Sequence, residues 1–140
     1  MIAWSEGTDN GKQKTNCRGY DVIVGGAIFT DFSDHPRQLV SIPRLGIKST
    51  AAGRYQLLSR YWDSYKEQLC LKDFSPASQD AVAIRQIKER NALGAIEAGN
   101  IEEAIRRCSN IWASLPGAGY GQNEHKMETL IAKYNELLRC

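Results

Sequence analysis

The chain has 140 residues, 42% hydrophobic and 24% charged, proportions ordinary for a single domain able to bury its own core. Its net charge of +2 and pI near 8.4 would not repel an anionic polymer, but they fall far short of the dense basic patch of a nucleic-acid binder. Four scattered cysteines (Cys17, Cys70, Cys108, Cys140) with no CxxC pair, and two histidines in all, argue against a zinc site; no metal or other cofactor is expected.

The opening "MIAWSEGT" has no basic n-region, and no stretch approaches the roughly 20 apolar residues of a membrane span. Neither an export signal nor membrane insertion is expected, and the thiols read as reduced in a cytosol. The apolar opening reads as a fragment of helix, soon stopped by Gly7, Asn10 and Gly11. Glu6 sits at its end. A lone glutamate is ordinarily a solvated charge, but Ile2 and Trp4 offer apolar surroundings that would raise its pKa, as a general acid requires. The glycines after it would let a substrate come close to the backbone. Asp9, Asp21, Asp31 and Asp34 are further carboxylates; the separation from Glu6 that would distinguish inverting from retaining hydrolysis cannot be read from sequence.

From Gly7 to Gly53 the chain is rich in Gly, Asp, Ser and Thr, with a β- and loop-rich region over about residues 16–50. "YDVIVGG" and "IFTDF", broken at Gly25-Gly26, predict a short hairpin. "HPRQLVSIPRLGIKST", with Pro36 and Pro43, reads as a long irregular loop. Tyr55, Leu58, Trp62, Tyr65 and Leu69 then recur at helical spacing. Ser75-Pro76 opens another helix with Ala81, Ile84 and Ile87 inward. Asn100 with Glu103 resembles a capping box ahead of an apolar stripe from Ile101 to Trp112. A last helix carries Met127, Leu130, Ile131, Tyr134, Leu137 and Leu138 on one face. The expected class is α+β with segregated elements, a small β lobe and a helical lobe with a cleft between them.

Two segments offer substrate contacts. In "KSTAAGRYQLL", Gly53 would permit close approach, while Ser49, Thr50, Tyr55 and Gln56 could hydrogen-bond sugar hydroxyls or acetamides. "GAGYGQ" lacks the GxxxxGK[ST] pattern of a phosphate loop and reads as a mobile flap bearing Tyr120 and Gln122.

Taken together, "AWSEGTDNG", "GYDVIVGG", "FTDFSDHPR", "GRYQLLSRYWDSY", "LKDFSPASQDAVA", "QIKER", "RCSNIWASLPGAGYGQ" and "LIAKY" resemble the lambda-type bacteriophage endolysins, lysozyme-like lytic transglycosylases, collinearly over nearly the whole chain. The resemblance implies one lysozyme-like catalytic domain over residues 1–140 that cuts the β-1,4 bond between N-acetylmuramic acid and N-acetylglucosamine. It gives Glu6 the role of the single catalytic acid and Tyr55-Gln56 that of a cleft motif, with mobile lips around residues 38–47 and 115–128. It also implies a monomer that binds peptidoglycan glycan strands and waits in the host cytoplasm until a holin opens the membrane. The chain departs from the family by starting at the catalytic helix, without the family's further N-terminal turn, and by reading "AAG" where the family has GAG. Water-using phage muramidases space Glu, Asp or Cys, and Thr in a pattern that here falls on Thr15 and Asp21 and is absent. A hydrolytic muramidase with the same acid, and a non-catalytic glycan-binding module, are the competing readings.

Overall fold

The computed structural model describes residues 1–119 and 124–140. Helix α1 is only four residues, Ile2–Ser5, and Glu6 is its C-cap, with its N–H bonded to the Ile2 carbonyl at 2.8 Å. Gly7, at φ +79°, turns the chain out of the helix. Thr8 then anchors the exit: its buried hydroxyl donates to the Arg54 carbonyl at 2.7 Å. Met1, Ile2 and Trp4 pack against a core of Ala83, Ile101, Ile105, Cys108, Trp112 and Leu130. A four-residue helix is not stable alone, so its position, and that of Glu6, comes from this packing.

Between the two arms expected to form a hairpin there is a lone bridge, Val22 to Ile28, around the turn at Gly25 and Gly26, and Ile23 bridges instead to Ala52. The regular sheet lies instead in the stretch read as irregular loop. Strands β1 (Val40–Ile42) and β2 (Ile47–Ser49) pair antiparallel, with Val40 opposite Ser49 and Ile42 opposite Ile47. Pro43 sits in the 3₁₀ turn Pro43–Leu45 between them, where its missing N–H breaks no ladder, and Gly46 closes the turn at φ +63°. Each strand is three residues long and none of its residues is buried, so no alternating pattern marked the pair in the sequence.

The helical expectations hold better. Helix α2 runs Ser59–Gln68, so Tyr55 and Leu58 precede it rather than belonging to it. Its first N–H is bonded by the Thr50 hydroxyl at 3.0 Å. Trp62, fully buried, packs edge-on against Phe74 in a second core with Ala52, Leu57 and Val82. Helix α3, Pro76–Glu89, has the expected Ser75 cap and Pro at its start. Its buried residues are Ser78, Gln79, Val82 and Ala83; of the three expected inward, Ile87 is half-buried and packs against the first core, whereas Ala81 and Ile84 are not in either core. Ile84 is 48% exposed, and together with Ile87 it lines an apolar cavity of about 430 Å³ beside Met1 and Ile2. Helices α4 (Leu93–Glu97), α5 (Ile101–Cys108) and α6 (Met127–Leu138) complete the lobe. Asn100 caps α5 as expected, but the Glu103 carboxylate pairs forward with Arg107 at 2.8 Å. On α6, Leu130 is buried while Leu137 and Leu138 are exposed. The four cysteines are free.

His35 ties the segment before β1 to the second core. Its Nε2–H donates to the Leu57 carbonyl at 2.8 Å, and Nδ1 accepts the Arg37 N–H at 2.9 Å, an arrangement open only to the neutral ring. Burial lowers its pKa below the ordinary 6.5, and Asp34 and Asp63, which act in the opposite sense, do not reverse the direction. The unfolded chain therefore binds a proton that the folded one refuses. Stability from this site is complete above pH 6.5 and falls as pH drops through the window below it. The urea midpoint is expected to decline from pH 7 to pH 5 more steeply in the parent than in His35→Gln. Parallel declines would contradict it.

Candidate active site

Glu6, the β1–β2 hairpin and the segment Ile111–Ala113 enclose a cleft of about 510 Å³. Its wall is largely apolar, with Val24, Ile42, Leu45, Leu58, Ile111 and Trp112 among its residues. Trp112 is fixed from behind by its indole N–H, which donates to the Tyr55 carbonyl at 3.0 Å. Burial pushes the Glu6 pKa up, while the hydroxyl and backbone amide of Ser114 pull it partway back. The net direction is upward, which favours a carboxyl that still holds its proton. Ile2 and Trp4 do not line this cleft; the apolar surroundings come from residues distant in sequence. Trp4 instead packs at a tilt against His125, with ring centroids 4.8 Å apart.

Among the described residues, Glu6 is the only carboxylate lining the cleft. The others suggested by sequence are engaged elsewhere. Asp9 pairs with Arg54 at 2.8 Å. Asp21 is buried, accepting from the Thr15 hydroxyl and from the Asn16 N–H at 2.8 Å. Asp31 accepts the Ser33 N–H, and Asp34 binds Arg37 and the Trp62 indole. Thr15 and Asp21, the two positions on which the muramidase spacing falls, thus bond to each other and shape a loop. No cluster of metal-binding side chains occurs among the described residues.

The expected substrate residues divide. Ser49 and Gln56 line the cleft, as does Ala51, the added methyl of "AAG". Gln56 is held at φ +53°, and its side-chain NH₂ donates to the Gly53 carbonyl at 2.9 Å and the Val22 carbonyl at 3.2 Å. These two bonds fix the side-chain amide at the cleft wall. Thr50 does not line it; its hydroxyl caps α2. Tyr55 also points away: its hydroxyl donates to Asp80 at 2.6 Å, and burial together with that carboxylate holds the phenol well above its ordinary pKa. Gly53 is close to protein, not substrate, since a Cβ there would collide with the Gln79 side chain. Tyr120 and Gln122 lie outside the described residues.

Sequence reasoning missed Ser114, whose hydroxyl donates to Glu6 Oε1 at 2.8 Å, and Ser5, whose hydroxyl meets that of Ser114 at 2.7 Å. It also missed Trp112 as a cleft wall, having assigned it to the core stripe. A serine 108 positions from its partner gives no local signal.

Comparison with known proteins shows the family. A sequence model of the family described as Endolysin matches residues 1–138. The chain is 72% identical over 137 residues to the endolysin of Escherichia phage lambda, covering 97% of this chain and 85% of that relative. It is 58% identical over 140 residues to the endolysin of Escherichia phage P2, covering 94% and 84%. Among solved structures it is similar to the bacteriophage lambda lysozyme complexed with a chitohexasaccharide, with a TM-score of 0.94 at 70% identity over 96% of this chain and 87% of that one. A second structure of lysozyme from bacteriophage lambda gives a TM-score of 0.88 at 68% identity, with the same coverage.

Proposed function

The chain belongs to the endolysin family and has a lysozyme-like α+β fold, and from its cleft we propose that it degrades peptidoglycan by lytic transglycosylation. The bond cut is the β-1,4 link from N-acetylmuramic acid to N-acetylglucosamine. The observation that carries the reading is that Glu6 is the single cleft carboxylate among the described residues. The chitohexasaccharide held by a relative supports a glycan strand as the ligand here.

In the first step the Glu6 carboxyl gives its proton to the glycosidic oxygen as the C1–O bond breaks, releasing the N-acetylglucosamine 4-hydroxyl. An oxocarbenium-like muramyl centre remains, which the substrate's own acetamide can stabilise. In the second step the Glu6 carboxylate takes the proton of the muramyl C6 hydroxyl, and that oxygen attacks C1. A 1,6-anhydro ring forms, Glu6 regains its proton, and no water is consumed. An intramolecular nucleophile already held near C1 needs no second carboxylate to activate it. Hydrolysis would need one, and Asp21, with Thr15 beside it, is occupied in its loop. The fixed Gln56 side-chain amide suits a sugar hydroxyl or acetamide. Digestion of purified peptidoglycan in H₂¹⁸O is expected to give fragments without the label; one ¹⁸O per cut would assign the chemistry to water.

The domain acts over residues 1–140 as a monomer and needs no metal. Among the described residues no helix is long and apolar enough to cross a membrane. In this reading the folded enzyme waits in the host cytoplasm and reaches the wall through a separate lesion of the kind a holin makes. Cells expressing it alone are expected to stay intact until the inner membrane is permeabilised. Prompt lysis of cells with an energised membrane would contradict this.

A further inference from the structure

The geometry points to Ser114 as a positioning residue that fixes which oxygen of Glu6 carries the acidic proton. It rests only on Glu6 being the acid, the part of the proposed function shared by transglycosylation and hydrolysis. Ser114 and Ser5 are both buried, with 8% and 6% exposure, and their hydroxyls are 2.7 Å apart. Two directions are open to the chain of hydroxyls. In one, Ser5 donates to Ser114 and Ser114 donates to Glu6 Oε1. In the other, a proton on Oε1 is donated to Ser114, which donates to Ser5; the Ser5 O–H then has no acceptor among the described residues. A buried hydroxyl without an acceptor is costly, so the first direction prevails. Oε1 then accepts in both protonation states, and the proton sits on Oε2.

The two serines are held from a third point. The His125 N–H donates to the Ser114 carbonyl at 2.9 Å, and His125 Nε2–H donates to the Ser5 carbonyl at 3.1 Å. One residue at the far end of the segment that follows Ser114 thus pins the backbone of both partners. The orientation of the hydroxyl pair is built into the fold around α1. Because the hydroxyl stabilises the carboxylate, it also keeps the Glu6 pKa from rising as far as burial alone would take it.

The test is the pH profile of kcat for Ser114→Ala and Ser114→Thr on purified cell walls. Loss of a hydrogen bond to a charged group is expected to lower kcat by roughly 10- to 100-fold, with KM changed less than about twofold. The alkaline limb, where the acid loses its proton, is expected to move to higher pH, and Ser114→Thr, which keeps the hydroxyl, to restore both. A uniform loss with the limb unmoved, a loss carried by KM, or parent activity would each overturn the proposal. Should Ser114→Ala fail to fold, Ser5→Ala serves: it removes the donor that orients Ser114 and is expected to lower kcat by about threefold with the limb displaced in the same direction. A Ser5→Ala profile identical to the parent's would likewise overturn it. Inactivity of Glu6 itself is read separately from Glu6→Gln, so the two failures are distinguishable.

Discussion

Glu6→Gln is expected to abolish clearing of chloroform-treated cells while leaving the fold intact. The amide has the size and shape of the carboxyl, and its oxygen can still accept the Ser114 hydroxyl. It has no proton acidic enough to reach a glycosidic oxygen, and it cannot serve as base for the second step. Acid–base catalysis is worth about 10²–10⁴-fold, and the cleft offers no substitute carboxylate among the described residues. Stability should be unchanged or slightly higher, because burial already disfavours the ionised carboxyl that the amide replaces. A folded variant that cleared cells at the parent rate would remove Glu6 from the mechanism.

Gly53→Ala is expected to damage the fold rather than substrate binding. Gly53 has φ +83°, where an L side chain costs about 1–2 kcal/mol. Its new Cβ would also collide with the Gln79 side chain. Gln79 is nearly fully buried and satisfies three backbone groups: it accepts the Arg54 N–H at 2.9 Å and donates to the Phe74 and Tyr20 carbonyls at 2.9 and 3.1 Å. Displacing it leaves buried polar groups unpaired, at about 1–3 kcal/mol. A total near 3 kcal/mol, read from urea unfolding with KM unchanged for the folded fraction, is the expected result. Unchanged stability with a raised KM would restore the substrate-facing role that the sequence suggested.

Gly53 and Glu6 differ in how far their surroundings can be read from sequence. Helices with caps and apolar stripes were legible because their signals are local: Ser75-Pro76, Asn100, and the run from Ile101 to Cys108. The place of Glu6 at the end of a helix cut short by glycine was legible, and the structure puts it there, on the cleft wall. The β1–β2 hairpin was hidden because it buries neither face. Thr50 and Tyr55 have side chains suited to sugars, yet their hydroxyls are taken by Ser59 and Asp80. Ile84 failed as a core marker, while Ile87 packs against the core, because α3 also turns Gln79 and Ser78 inward, polar residues buried against hydrogen-bond partners. Ser114 and Ser5 belong to the same class of information, since nothing near either in the chain announces a carboxylate.

The central claim is that the nucleophile is the muramyl C6 hydroxyl and not water. Purified peptidoglycan digested with the enzyme, treated with borohydride and weighed as disaccharide-peptides tests it directly, because borohydride reduces a free hemiacetal and leaves an anhydro ring untouched. Transglycosylation predicts 1,6-anhydromuramyl ends, one per cut, each lighter by one water than a hydrolytic end and unchanged by the reductant. Ends that gain two hydrogens per cut would contradict it and leave Glu6 as the acid of a hydrolytic muramidase.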